Sequence, residues 1–496
     1  TNSMVPRTAD ILFGEAAEPA IPFTSLRRLM SVGMGVPLFI SRRKCSMTPA
    51  KTQFVARPFD EGMPVINPRA AGIDIGSRSH DVSVPDDRPG EPAVREFGAF
   101  TPDLCALAEW LTARGVITVA MEATGVYWIP LYQLLCTRGF TVIVANPHTA
   151  KNVPGRKTDV ADCQWLRKLH TFGLLEASFC LPIAQGVLRD YWRLRTARIH
   201  DAADEIRHIQ KAMDQMNVHL HHAVTDIMGV SGLKIVRAIA AGHTDPAALV
   251  LLIETRLKCS TADLLKALTG QYLPQHIFAL KQALERYDFL ATQIAACDAQ
   301  VEATLQALAV HEAPPTPPHR QSKSKGEPAF NLQGALTQVC GVDLTAIAGL
   351  GSMHTLTIIS EVGTDLTPWP SEKHFASWLA LSPANKITGN KSKSSRTRKV
   401  VNRAAEALRM AAFSLSHSHS ALGAFYRRMR AKLGAPKAIT AVAHKLAVLV
   451  YRLLRHGSEY VEIGEVVYEQ RYQERRLKAL QRNANALGFE LVPRSI

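Results

Sequence analysis

The sequence predicts an α/β domain, then a long helical region, then a mostly α-helical domain. Three observations carry this. Residues 69–145 alternate short apolar strands with helically spaced leucines. Residues 187–310 hold two heptad seams, and residues 311–328 carry five prolines and no large apolar residue before a region of helical periodicity that runs to 456. With 496 residues, of which 47% are hydrophobic, the chain can bury several cores. Its mean hydropathy of −0.02 excludes a fibrous or disordered polymer.

Taken in order, residues 1–68 read as an ill-defined, largely disordered extension. Arg27 to Lys44 imitates a signal peptide, but it lies deep in the chain, is followed by positive charge and lacks a small-residue cleavage site. The domain expected over 69–182 opens with the strand Ala71-Gly72-Ile73-Asp74-Ile75-Gly76, followed by strands at 80–84 and 94–100. Leu104, Leu107 and Leu111 then mark a helix, Val116 to Met121 a buried strand, Val126 to Cys136 a helix, and Phe140 to Ala145 another buried strand. Over 183–310, the first seam places Leu188, Trp192, Arg195, Ile199, Ala202, Ile206, Ile209, Met213 and Met216 at a and d, eight of the nine apolar. The second seam, Ile277 to Leu308, is apolar at nine of ten positions, Asp298 being the exception. Two long coiled-coil helices follow, either a self-association seam or an intramolecular hairpin, with short helices between them at 220–270. A linker (311–332), a helical domain (333–456) and a charged helical tail (457–496) complete the expected organisation.

Four acids stand out by placement. Asp74 sits mid-strand, where an acid is costly unless paired or bound to a cation, and Glu122 ends an apolar strand. Asp159 and Asp162 lie three apart on an expected helix and so share a side. Each alone is compatible with an ordinary strand end or helix cap. Together, at one sheet edge, four carboxylates would repel unless a divalent cation such as Mg²⁺ (or Mn²⁺) neutralised them, as two-metal phosphoryl chemistry requires.

A second block follows the linker. Gly349 and Gly351, before a helical stretch, suggest a turn whose backbone N–H groups approach a phosphate. From Lys386 to Arg403 there are seven basic residues (Lys386, Lys391, Lys393, Arg396, Arg398, Lys399, Arg403) and no acid. Gly389 and its Ser/Asn neighbours make the first part a loop, which leads into an amphipathic helix. Such a segment suits a nucleic-acid backbone. The balance of 58 Lys plus Arg against 43 Asp plus Glu, a formal charge of +15, favours the same polyanionic partner over a membrane. No stretch reaches the ~18 apolar residues of a spanning helix.

The blocks GIDIG, MEATGVYW, ANP and KTDVADCQWL resemble the N-terminal RuvC-like DEDD domain of the insertion-sequence transposases of family one-ten, especially its eleven-eleven subgroup, with the Piv DNA invertases as relatives. The resemblance covers about residues 70–182 and 340–456. It implies an RNase H-like (RuvC-like) fold and places the divalent-metal ligands on Asp74, Glu122, Asp159 and Asp162. It implies double-stranded DNA as partner and a noncoding bridge RNA as guide. It also implies a serine nucleophile in the basic loop, acting near the acids of another subunit. Here that position is Thr388, a departure whose β-methyl crowds the attacking oxygen. Ser392, Ser394 or Ser395 could substitute, or the copy has decayed to a binder. Recombining two duplexes needs several active sites, so a homodimer forming a tetramer on DNA is expected. The expected setting is the nucleoid of a prokaryotic cytoplasm, without membrane attachment.

The remaining features read blandly. The eight cysteines form no C-x-x-C and suit a reduced cytosolic protein. His219, His221 and His222 have no Cys or acid at ligand spacing and read as a surface cluster rather than a metal site. Tyr127 and Trp128 could stack on a base or pack in the core. Two rivals remain: a metal-dependent junction endonuclease of the RuvC type, in which water attacks, and a non-catalytic nucleic-acid-binding derivative of a transposase.

Overall fold

The structure is a computed structural model that describes residues 63–145, 159–253, 259–312, 326–389, 391–457 and 464–492. Residues 1–62 of the expected extension over 1–68, most of the Pro-rich linker and the ANP motif's Asn146 and Pro147 lie outside the described residues.

The first part is a five-stranded mixed sheet in the order β3-β2-β1-β4-β5. Strands β1 (Ala70–Ile75), β2 (Ser79–Ser83) and β3 (Val94–Gly98) form an antiparallel meander, while β4 (Thr118–Glu122) and β5 (Thr141–Ala145) run parallel to β1. The observed strands match the expected ones to within a few residues, because burial imposes the pattern that reveals them. Ile73, Val82, Val119 and Met121 alternate onto one face and pack with Leu107 and Leu111 of α1 (Thr101–Ala113) and Leu131 and Leu135 of α2 (Trp128–Thr137). The opposite face is covered by α3 (Asp159–Thr171).

Helix α4 (Ile183–Gln215) then leaves the sheet and α9 (Pro274–Leu308) returns beside it. They run antiparallel within one chain. Leu188 and Trp192 meet Val301 and Leu305 at one end, and Ile209, Ala212 and Met213 meet Leu280, Ala283 and Leu284 at the other. The two polar exceptions in the heptads find each other: the buried Arg195 guanidinium donates to both carboxylate oxygens of Asp298 and, at 2.7 Å, to the Gly326 carbonyl. In α9 the expected seam residues Leu280, Leu284, Val301 and Leu305 are buried, joined by Ala283, Leu290 and Cys297, each one position before an expected a residue, while Ala291 is exposed. Four short helices among the described residues, α5 (Leu220–Ala223), α6 (Val230–Ala240), α7 (Pro246–Val250) and α8 (Thr261–Leu268), form the distal end around a small core of their own.

The last part is helical. It comprises α10 (Leu332–Cys340), α11 (Ser352–Val362), α12 (Glu372–Trp378), α13 (Arg403–Ser414), α14 (Ala421–Leu433) and α15 (Ala435–His456), with α16 (Gly464–Ala486) laid on α14 through the Arg428 guanidinium, 3.6 Å from the Tyr472 ring. Its core includes Trp369, Phe375 and Tyr451, whose hydroxyl donates to the Trp369 carbonyl at 2.7 Å. One expectation fails here. Instead of a loop, the segment after Pro383 is a β-hairpin, β6 (Lys386–Thr388) paired antiparallel with β7 (Lys391–Ser394). No described helix is long and apolar enough to cross a membrane.

Candidate active site: a carboxylate row and a basic ribbon

Strand register builds the acidic site. Asp74 in β1 stands directly opposite Asp81 in β2. β1 and β4 pair Gly72 with Ala120 and Ile73 with Met121, so the next step along both strands sets Asp74 beside Glu122. Residues level across adjacent strands share a face, so Asp81, Asp74 and Glu122 form one row of half-buried carboxylates, continued on β3 by Glu96, the partner of Asp81. Like charges in such positions are mutually destabilising, and a row of hard oxygen donors is the set a Mg²⁺-class cation takes.

The row lies on the face that α3 covers. Gly72, two residues before Asp74, makes this possible: a Cβ there would overlap the Cys163 carbonyl oxygen and the Arg167 backbone nitrogen. Sheet and helix therefore meet backbone to backbone, which brings α3 with Asp159 and Asp162 across the row. Asp162 is half-buried. Asp159 is the first residue of α3, and its side chain lies outside the described set. Burial, with the nearby charges of Asp81 and Asp74 adding to it, pushes the Cys163 thiol up to about 12, so it stays protonated and inert at neutral pH. Lower on the same face, the Arg167 Nε donates to Ser83 Oγ at 3.1 Å. Burial lowers the Arg167 pKa. At the far end of α3, the Thr118 hydroxyl donates to the Thr141 carbonyl at 3.0 Å and so accepts from His170 Nε2 at 2.8 Å. Burial holds the His170 pKa below 6.5 and keeps that ring neutral.

Asp81 is the residue the sequence reading missed. The signal was present, because folding the Ile75-to-Ser79 turn back on itself aligns Asp74 with Asp81.

The second block is arranged differently. Thr388 ends β6, exposed, one residue before Gly389, whose φ of +55° turns the hairpin. Across the ladder Thr388 faces Lys391. Lys386, Lys391, Lys393, Arg396, Arg398, Lys399 and Arg403 are all exposed. Arg398 also donates to the Ser377 carbonyl at 2.5 Å, tying the ribbon's base to α12, and Arg403 opens α13 just after its Asn402 cap. Gly349 and Gly351 part company. With φ of +92°, Gly349 packs inward, where a Cβ would stand 2.8 Å from Leu415 Cγ and 3.0 Å from the Ala411 carbonyl. Its lack of a side chain serves packing. Gly351, the N-cap of α11, has open space where a Cβ would be. Trp128 packs against the sheet core and on Tyr132, while Tyr127 is exposed.

An acidic row on an α/β domain and a basic ribbon on a helical domain, in one chain, suit the class of proteins that act on nucleic acid. The comparisons narrow it. Residues 71–218 match the family model DEDD_Tnp_IS110, described as a transposase, and residues 343–427 match that of the transposase IS116/IS110/IS902 family. Both matches are to domains of IS110-type transposases, one N-terminal and one C-terminal, and they occur in that order along the chain. The strand order and directions are compatible with an RNase H-like fold for the first. No curated protein matches the chain.

Proposed function

We propose that this transposase cuts and exchanges DNA strands, with Asp74, Glu122, Asp159 and Asp162 holding divalent cations, Mg²⁺ or Mn²⁺, and Thr388 supplying the attacking hydroxyl. The observation that carries the reading is the strand register that sets Asp74 beside Glu122 beneath α3. A bound cation would offset the negative charge that builds on the scissile phosphate. Thr388 Oγ1 attacks phosphorus and loses its proton. The backbone P–O bond breaks, and the departing DNA oxygen takes up a proton. The product is a phosphodiester between Thr388 and DNA, so one P–O bond replaces another and no high-energy cofactor is needed. Lys391, across the ladder from Thr388, is placed to draw the phosphate toward that hydroxyl. The exposed basic residues, with Gly351, would hold the backbones of element ends, target duplex and a noncoding bridge RNA. The α4–α9 pair is the coiled-coil connector between the two parts of a homodimer that becomes a tetramer on DNA, in a prokaryotic nucleoid. Within the family we place the chain in the eleven-eleven subgroup, near the Piv invertases.

The threonine at the nucleophile position favours one competing reading, a metal-dependent junction endonuclease in which water attacks. A plasmid recombination assay, with the gene beside its native flanking DNA, decides between them. The wild type should recombine and leave protein covalently attached to DNA after denaturation. Thr388→Ala should abolish both, and Asp74→Ala should lower recombination at least about a hundredfold. Cleavage without an adduct would establish the hydrolytic reading. Recombination by Thr388→Ser alone would mark a decayed copy. Binding without cleavage under any divalent metal would leave a nucleic-acid-binding protein.

A further inference from the structure

The distal end of α4 brings together side chains that sequence spacing kept apart. After Gln215 the chain turns through Asn217, a non-glycine residue with φ of +58°, and the His219 amide is pinned to the Ala267 carbonyl at 2.9 Å. Val218 and Leu220 are fully buried, while His219 is half-buried and His221 exposed. There they meet Asp214, one residue before the end of α4. Ligand atoms of Asp214, His219 and His221 all lie within 4.8 Å of one another.

The hydrogen bonds orient the donors as metal ligands are oriented. His219 Nε2 donates to Asn217 Oδ1 at 2.9 Å, which fixes the tautomer and leaves the lone pair on Nδ1. Gln210 Nε2, itself a donor, bridges His221 Nδ1 at 2.6 Å and Asp214 Oδ1 at 3.1 Å. The His221 and Asp214 lone pairs therefore both meet one amide NH₂, and His219 brings a ligand atom within 4.8 Å of each. His221 Nδ1 and Asp214 Oδ1 are 3.7 Å apart, a separation one ion can span.

We propose that Asp214, His219 and His221 form a site for a late first-row transition-metal ion of the zinc or nickel class. Two imidazole nitrogens and one carboxylate oxygen suit such ions, whereas the all-carboxylate row of the sheet suits Mg²⁺. Water would complete the coordination at this exposed position. The ion would tie the last turn of α4 to α5 across the Asn217 turn and so favour the folded distal end.

The test is Zn²⁺ titration of the full-length protein by calorimetry in excess Mg²⁺, which keeps the carboxylate row occupied. The wild type should bind one zinc equivalent that His219→Gln/His221→Gln lacks, and Asp214→Asn should weaken it at least about tenfold. His208→Gln, on the same helix, should retain it. With Cu²⁺ as probe, nitrogen hyperfine coupling should be present in the wild type and lost in the double variant. The added thermal stability that zinc gives the wild type should vanish with it. Matching circular dichroism spectra would establish that the double variant folds. The site is overturned if the double variant keeps the zinc equivalent, if the wild type binds none, or if His208→Gln loses it too.

Discussion

The carboxylate row and the basic ribbon sit in opposite physical settings. Asp74 and Glu122 are fixed by hydrogen-bonded strands flanked by fully buried residues, under a helix seated backbone to backbone on Gly72. Thr388 sits on a two-stranded hairpin whose first strand is exposed at every residue. Such a ribbon is marginal in water by itself and gains order from what it binds. On the proposed mechanism, the groups that must hold a fixed geometry are placed on the core, and the group that must reach DNA is placed where DNA can come. Stability and activity should therefore respond differently to changes in the two regions.

The largest expected effect is Gly72→Ala. The added methyl forces α3 off the sheet, costing up to about 3 kcal/mol in urea denaturation. Recombination should fall at least about a hundredfold while DNA binding survives. Loss of both together would show that the two regions are not separable. Removing charge from the ribbon should do the reverse. Lys391→Ala/Lys393→Ala should leave stability within about 0.5 kcal/mol. It should also flatten the dependence of log affinity on log salt by about 0.9 per lysine.

Acid separates the regions further. His80, His170 and His354 are all held below 6.5 by burial. Below 6.5 the unfolded chain takes up these protons before the folded one, so stability present above 6.5 is lost as pH falls. The slope is at most about 1.4 kcal/mol per pH unit for each histidine. Denaturation midpoints measured down through that range should fall, and His170→Gln should reduce the slope. The smallest effect belongs to Gly389→Ala. Its Cβ meets nothing, and only the left-handed backbone is strained, about 1 kcal/mol confined to the hairpin. It should shift hairpin chemical shifts without moving the global midpoint.

The same contrast explains what could be read from residues alone. Strands β1 and β4 announce themselves as near-continuous apolar runs because both of their faces are buried, and the two long helices because each buries one face, which writes a period into the sequence. Asp74 and Glu122 were visible as acids interrupting or ending such runs. The hairpin at Lys386–Ser394 was not visible, since a ribbon without a buried face leaves no alternation to detect. The packing of Gly349 was not visible because its neighbours Ala411 and Leu415 lie more than sixty residues away in sequence. Long-range partners hid Asp298 from Arg195 in the same way. Asp214 was overlooked beside His219 and His221 because a turn, not a helical spacing, brings them together.

The Arg195–Asp298 pair has a geometric consequence. It locks the sliding of two helices against each other at a single setting, so α4 departs from and α9 returns to one base, where Leu188, Trp192, Val301 and Leu305 pack with α10 and Leu356 of α11. A helix of 33 residues is about 50 Å long. The small helical cap beyond Met213 is thus carried as a mast, standing off from the base at Leu188 by about ten base pairs of duplex.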